Sequence, residues 1–515
     1  MRTAPSARPL RCSVLVTRYV CAFLAALLLA LAANSAASAA DEPLRVGSKR
    51  FTESYILAQV LAQTAQAAGA PVQVRQGLGN TAIVFAALRA GSIDLYPDYT
   101  GTIALEILKD PQATALPALR AGLAPLGLGV DVSLGFHNGY ALAMRDDVAA
   151  RLGIRRLSDL AAHPALKLGL SNEFLGRADG WPGLARRYGL AQRPAGLDHG
   201  LAYDALSAGQ VDAIDIYTTD AKIGHLKLRV LQDDLTHFAR YDAVVLYRLD
   251  VPQRYPAAWA ALQRLGGSID EPAMIALNAR AELDGVAFDA IARDHLSGAA
   301  PTAGGAGFWA KLWGPDLARL TLQHLTLVAL SVGLAVAVGV PLAVWVAPHA
   351  GARALVLGAT GLLQTVPALA LLAVLISALG RIGTLPALLA LTLYALLPIM
   401  RNTCTGLAEV PAGLKMAALA LGLSARQRLR HIELPLALPV LLAGVRTATT
   451  IAVGTATIAA FIGAGGYGER IVTGLALNDR ELMLAGALPS AALALLCEAL
   501  FGALAYALNR PGRAR

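Results

Sequence analysis

From residue 320 to residue 509 the chain is nearly all Leu, Ala, Val and Gly, and one polar segment interrupts it: RNTCTGLAEVPAGLKMAALALGLSARQRLRHIELP at 401–435. Apolar runs at about 321–346, 354–379, 383–400, 447–465 and 482–508 each approach the roughly 20 residues that a spanning helix needs. Five membrane helices are therefore expected. The interruption gathers Arg401, Lys415, Arg426, Arg428 and Arg430 between the third and fourth runs, and basic loops stay in the cytoplasm. That places the start of the first span outside and the C-terminus inside. Within the loop, Pro411 and Gly413 precede one short apolar helix, and Gly422-Leu423-Ser424 offers a turn with a capping serine before a second.

Residues 41–300 are different material, with ordinary charge density and regular Gly and Pro punctuation. At 515 residues, 56% hydrophobic and 15% charged, the whole chain is too long for one domain and too apolar to be wholly soluble. Arg2, Arg8, Arg11 and Arg18 precede an apolar core from Val20 to Ala33 and the small-residue run SAASAA at 35–40. This is the pattern of an export signal, and cleaved or kept as an anchor it delivers Asp41 onward to the outside. The formal charge of +9 reflects topology signals at the N-terminus, in the 401–435 loop and at Arg510, Arg513 and Arg515, so it gives no argument for nucleic acid. Cys12 and Cys21 lie in the leader and Cys404 and Cys497 at or in the membrane. The exported module has no cysteine and tolerates an oxidising compartment without depending on a disulfide.

That module opens with LRVGS as a strand. TESYILAQVLAQTAQAAG follows as a helix with Ile56, Leu57, Val60, Leu61 and Ala65 on one face and Gly69 at its end. PVQVRQ alternates as a strand, TAIVFAALRAG is a second helix closed by Gly91, and SIDLY is a third strand. The same grammar recurs from about Gly135 to Leu246, with FHNGYALAM, KLGLS, VDAIDIY and YDAVVLY as strands. Alternating strands and helices imply parallel sheets, and two such lobes describe a clamp that closes on a ligand by hinge motion.

The segments VGSKRFTES, GLGNTAIVFAALRAGSIDLYPDYTGT, NEFLGRADGWPGL and DAIDIYTTDAKI resemble the binding proteins of the osmoprotectant (glycine betaine, choline, carnitine) uptake family. In the membrane half, TATIAAFIGAGGYGERIVTGLALND resembles the permeases of the same family. Ala417, Ala418, Gly422, Ile432, Leu434 and Pro435 are spaced like the loop by which ABC-importer permeases dock on their ATPase, although Met416 stands where that motif usually opens with an acid. The resemblance implies a tyrosine cage around a quaternary ammonium, with basic and hydroxyl groups for a carboxylate. It falls here on Tyr99, Thr102, Tyr140, Tyr217, Tyr241, Arg177 and Lys49.

The chemistry supports that selection. A trimethylammonium group has no N–H to donate, so aromatic faces supply the attraction, at roughly 0.5–2 kcal/mol each. A zwitterion needs a cation at its other end; Arg177 offers planar two-point contact and Lys49 a point charge, which favours a betaine over choline. Arg177 has a rival use as the partner of Asp179 in a solvated ion pair. Asn80-Thr81 and Asn138 rank second as amide or hydroxyl contacts. His137, His199, His225 and His237 show no metal-ligand spacing, and no cofactor or metal is expected. No phosphate-cradling G-x-x-x-x-G-K-[ST] and no catalytic motif occurs, so the expectation is a transport component without enzymatic activity.

The expected fold is an α/β two-lobed periplasmic binding protein domain followed by an all-α five-helix ABC-importer transmembrane domain. The expected divisions are a signal peptide or anchor at 1–40, the binding domain at 41–296, a flexible tether and interfacial segment at 297–316, the permease at 317–509 and a cytoplasmic tail at 510–515. The expected partners are a separate ABC ATPase, a second copy of the permease domain, the membrane and a small quaternary amine, with choline, carnitine or a methylated histidine-like thione as alternative ligands. An osmolyte receptor that does not transport is the rival from a different class. Pro341, Pro367, Pro386, Pro398 and Pro489 are expected to interrupt helices, and Glu498, deep in a span, is expected to face protein or water.

Overall fold

In the computed structural model the described residues are 42–299 and 307–509; the leader, the C-terminal tail and tether residues 300–306 lie outside them. The first lobe begins with β1 (Leu44–Gly47), α1 (Thr52–Ala67), β2 (Val72–Arg75), α2 (Thr81–Arg89), β3 (Leu95–Tyr99) and β4 (Leu128–Asp131). The chain then crosses to a second lobe built on β5 (Tyr140–Arg145), β6 (Leu168–Ser171), α3 (Asn172–Gly176), β7 (Ala195–Leu197), α4 (His199–Ser207), β8 (Ala213–Tyr217) and β9 (Leu228–Val230). It returns as β10 (Ala243–Arg248), and α5 (Glu271–Glu282) follows.

The expected helical face of α1 is buried as a unit, and Gly69 leaves the helix at φ +87. A left-handed exit of this kind suits glycine, which has no Cβ to clash. Burial of Ile56, Leu57, Val60 and Leu61 contributes about 1.5–3 kcal/mol each.

The sheets are not purely parallel. Their orders are β2-β1-β3-β10-β4 and β7-β6-β8-β5-β9. In each, four of the five strands run in one direction and the fifth, β10 or β5, is inserted antiparallel to both neighbours. The expectation that YDAVVLY belongs to the second lobe is also corrected, because β10 pairs with β3 and β4. The cause is the double crossing, in which each lobe is completed by a strand delivered from the other. The crossing segments lie side by side, with Asn138 N–H donating to the Tyr241 carbonyl (3.0 Å) and Ala243 N–H to the Phe136 carbonyl (3.0 Å).

After the tether come α6 (Phe308–Leu312), α7 (Leu317–Val346), α8 (Ala350–Thr365), α9 (Ala368–Leu379), α10 (Thr384–Ala408) and α11 (Ala412–Ala420). A turn leads to Ala425–Arg428, a π-turn at Leu429–Glu433, α12 (Leu434–Ala456), α13 (Gly468–Leu477) and α14 (Arg480–Asn509). Four helices among the described residues are long and apolar enough to cross a membrane, and α8 with α9 forms a pair bent by 102°. The second apolar run is thus not one straight helix. Val366, extended at ψ 128, precedes Pro367 as sterics require, and Tyr394 donates its hydroxyl to the Val366 carbonyl freed at the break.

The two ends of the bent pair lie at opposite ends of the bundle. Ala352 and Val356 of α8 pack with Val346 and Met400, whereas Ile376 of α9 packs with Ile382 against first-lobe residues. The pair is bent by 102°, and its two ends reach opposite ends of the bundle. Of the expected interruptions only Pro367 breaks a helix. Pro341, Pro398 and Pro489 sit inside continuous helices, and Pro386 occupies the first turn of α10, where a missing N–H costs nothing.

Tether flexibility falls mainly on residues outside those described. Its far end is fixed: Lys311 of α6 pairs with Asp479 (2.7 Å) and Glu481 (3.1 Å), while Trp309 and Trp313 are exposed. Glu498 is paired with Arg446 and accepts from the Thr450 hydroxyl (3.3 Å).

Candidate ligand-binding cleft

All seven sequence-derived cleft residues converge where the lobes meet. Lys49 follows β1, Tyr99 ends β3 and Thr102 opens the next turn; Tyr241 lies on the returning crossover. From the second lobe come Tyr140 at the start of β5, Arg177 just after α3 and Tyr217 at the end of β8. Strand ends are where α/β lobes present ligand groups, because the sheet fixes the backbone and the loops stay free. Tyr140 is central, 5.2 Å from Tyr217, 5.9 Å and edge-on to Tyr241, and under the Arg177 guanidinium at 5.2 Å. Phe51 links Tyr217 (5.1 Å) to Tyr99 (6.3 Å).

The two cations are already engaged. Arg177 makes a two-point pair with Asp179 (Nε 2.8 Å, Nη2 2.6 Å) and reaches the Thr102 hydroxyl at 3.5 Å. Tyr241 donates to the same Asp179 carboxylate at 2.5 Å. Burial pushes the Asp179 carboxyl up, but Arg177 and the Tyr241 hydroxyl outweigh it and hold the group below its ordinary range. The pair is buried, so the solvated version weighed from sequence is corrected. Lys49 pairs with Asp98 at 2.6 Å and lies 5.5 Å from the Tyr99 ring.

Glu53, which no sequence motif singles out, is 2% exposed at the centre of this region. It accepts from Tyr99 (2.5 Å), Asn138 (2.9 Å), Thr219 (2.5 Å) and Asn278 (3.2 Å). These donors come from both lobes and the hinge. Burial raises the Glu53 pKa, and the four hydrogen bonds pull the other way without cancelling it. Asp98, Asp179, Phe51 and Phe174 were likewise missed; Phe174 packs 5.2 Å from Tyr140. Only Asp179 carried a sequence signal, its spacing from Arg177. Of the second-rank groups, Asn80 caps α2, Thr81 donates across the lobes to Glu173 (2.9 Å), and Asn138 serves Glu53. Among the described residues no group of three or more His, Cys, Asp or Glu is placed to hold a metal.

The 401–435 loop forms the turn its residues imply. Pro411 precedes α11, Gly422 turns at φ +73, and Ser424 and Gln427 make a reciprocal cap. The second helix is not short, however: it runs through the π-turn into α12, because Pro435 lies in the first turn of α12, where proline is tolerated. Ala418 is buried, Ala417 and Gly422 are exposed, and Ile432, Leu434 and Pro435 are half-buried. Met416 is 64% and Leu421 80% exposed, an apolar surface facing away from the bundle.

A two-lobed clamp followed by a membrane bundle with such a loop defines a binding-protein-dependent importer component. Residues 42–298 match the family described as the substrate binding domain of ABC-type glycine betaine transport systems, and residues 339–510 match the binding-protein-dependent transport system inner membrane components. The chain is 46% identical over 200 residues to the osmoprotectant import permease protein OsmW of Salmonella typhimurium, covering 38% of this chain and 93% of that one. It is 35% identical over 279 residues to the glycine-betaine-binding protein of Pseudomonas aeruginosa, covering 51% and 89%. It is 32% identical over 265 residues to the ergothioneine transport permease/ergothioneine binding protein EgtU of Helicobacter pylori, covering 50% and 47%. The chain belongs to the osmoprotectant (betaine/choline/carnitine-type) ABC importers, as a fused substrate-binding and permease protein. It is a multi-pass inner-membrane transport component with an extracytoplasmic binding domain, and its transport needs a separate ATPase subunit.

Proposed function

We propose that the cleft takes a betaine, most simply glycine betaine, with Tyr99, Tyr140, Tyr217 and Tyr241 around the ammonium group and Arg177, Lys49 and Thr102 toward the carboxylate. The observation that carries this reading is the meeting of Tyr217 (5.2 Å) and Tyr241 (5.9 Å) on the Tyr140 ring, beneath the Arg177 guanidinium. Two copies of the permease domain would join two ATPase subunits, and ATP-driven movement felt at residues 412–435 would switch access. The tether keeps the receptor near its permease at an effective concentration of order millimolar.

A second reading has its own support. Lys49 and Arg177 each hold an internal carboxylate, which leaves less positive charge for a ligand carboxylate and favours a cation such as choline. Calorimetry on the full chain in nanodiscs, with glycine betaine, carnitine, choline and ergothioneine in competition, separates the two. Preference for glycine betaine supports the first reading; preference for choline overturns it.

A further inference from the structure

Beyond the cleft, a cavity of about 730 Å³ lies where both lobes meet the permease. At roughly 30 Å³ per water it has room for many solvent molecules, far more than a gap between packed surfaces. Its permease wall is apolar, with Leu372, Ile376 and Phe461, and its lobe walls add Phe51, Tyr203 and Tyr217. Phe51, Glu53 and Tyr217 belong to the cleft as well, so cage and chamber share a wall.

The chamber already holds a cation against the permease. The Arg50 guanidinium of the first lobe lies over the Phe461 ring at 4.9 Å, and on the opposite lobe Lys222 lies 5.3 Å from the Tyr203 ring. Each aromatic face is therefore a seat for positive charge. The carboxylates around them are held by neutral and cationic donors together. Glu53 has its four, Glu173 accepts from Thr81, Asp198 from Gly200 N–H (3.2 Å), and Asp220 from Tyr203 (2.6 Å) and Tyr217 N–H (2.9 Å), with His199 at 2.9 Å. Glu173 also lies 3.7 Å from Arg177. With His199 already on Asp220, Arg177 near Glu173 and burial favouring the neutral form of Glu53, the attraction left for a ligand comes from the aromatic faces, which suit a cation that lacks N–H groups of its own.

We propose that this chamber is a second binding station for the methylated ammonium ligand, in which Phe461 receives the ammonium group and Arg50 is the cation it displaces. The proposal rests on the quaternary-amine reading of the cleft. On leaving the cage past Tyr217, the ligand meets another aromatic face already shaped for positive charge. Arg50 swings away, so the handover exchanges one cation for another at the Phe461 face.

The test uses the full chain with its ATPase in proteoliposomes, glycine betaine and choline as probes, and three readouts: ligand affinity, initial uptake rate against concentration, and thermal melting. Phe461→Leu is expected to lower maximal uptake about 3- to 30-fold, the range of one cation–aromatic contact, while Phe461→Tyr stays within about threefold of the unaltered chain. Arg50→Gln, which removes the competitor, is expected to lower the half-saturating concentration for uptake. Equal loss in Leu and Tyr variants, or unimpaired uptake in Phe461→Leu, would overturn the station. If the unaltered chain binds neither probe, the cleft reading itself fails and takes this one with it.

Discussion

The Asn478 side chain donates to the Asp204 carboxylate across 2.6 Å and ties the permease to the second lobe. Asn478 ends α13 in the left-handed region at φ 56, where asparagine is tolerated. Around this bond Gly200 lies against the Ala476 and Leu475 carbonyls, and Leu78 of the first lobe lies against Gly463. The clamp is thus seated on the outer end of its own bundle by both lobes.

Gly200→Ala tests that seating. The added Cβ would lie 2.6 Å from the Ala476 carbonyl oxygen, which is backbone and cannot step aside cheaply. Overpacking of this kind costs about 1–3 kcal/mol, so docking should weaken roughly 5- to 150-fold. Ligand-stimulated ATP hydrolysis should fall while ligand affinity, read by calorimetry, holds.

Gly101→Ala acts on the cage instead. Its Cβ would meet the Tyr241 ring at 2.6 Å and the Arg240 carbonyl at 2.8 Å. Tyr241 is expected to shift and ligand affinity to drop about tenfold, with little change in ATPase binding.

Asp179→Asn should alter selectivity. With its carboxylate gone, the buried Arg177 guanidinium keeps its charge and loses its internal partner, so a ligand carboxylate becomes the better match. The ratio of glycine betaine to choline affinity is expected to rise about tenfold, measured by competition calorimetry. A fall in that ratio would remove Arg177 from carboxylate recognition.

Below the lobes' surface His199 gives a pH signature. Burial lowers its pKa, but the charge and hydrogen bond of Asp220, with Asp215 and Glu282 nearby, raise it to about 9. A raised folded value means stability that is complete below the ordinary 6.5 and lost as pH rises through about 9. Glu282, pushed up to about 7 by burial and the charge of Asp220, loses its contribution between 4.5 and about 7, so the window above pH 7.5 belongs to His199. His199→Gln should flatten the decline in melting temperature between pH 7.5 and 9, a difference of order 1–3 kcal/mol.

On the cytoplasmic side, Leu421→Asp places a charge on a residue that is 80% exposed and has little packing to lose. Copurification with the ATPase should fall at least tenfold while ligand affinity and melting stay within error.

Much of this was legible in the residue order because it is local. The α1 face follows from 3.6-residue spacing, Gly69 and Gly91 mark helix ends, and the tyrosines sit in motifs at strand ends. What escaped depends on partners far away in sequence. Alternation along YDAVVLY reveals a strand but not its direction or its sheet, and its neighbours β3 and β4 lie more than a hundred residues earlier. Lys49 and Asp98 are likewise separated by 49 positions, and Glu53 draws donors from as far as Asn278, 225 positions away. Pro367 announced a break, but not that its neighbours Pro341 and Pro398 would be absorbed into unbroken helices.

With Lys311 held by Asp479 and Glu481, the binding domain is leashed to a bundle of its own, one per polypeptide. Making more of this polypeptide adds receptor and permease in a fixed one-to-one ratio. Scavenging at low supply then rests on the strength of each individual grip, and a clamp that fails to load still occupies the doorway it was built to serve.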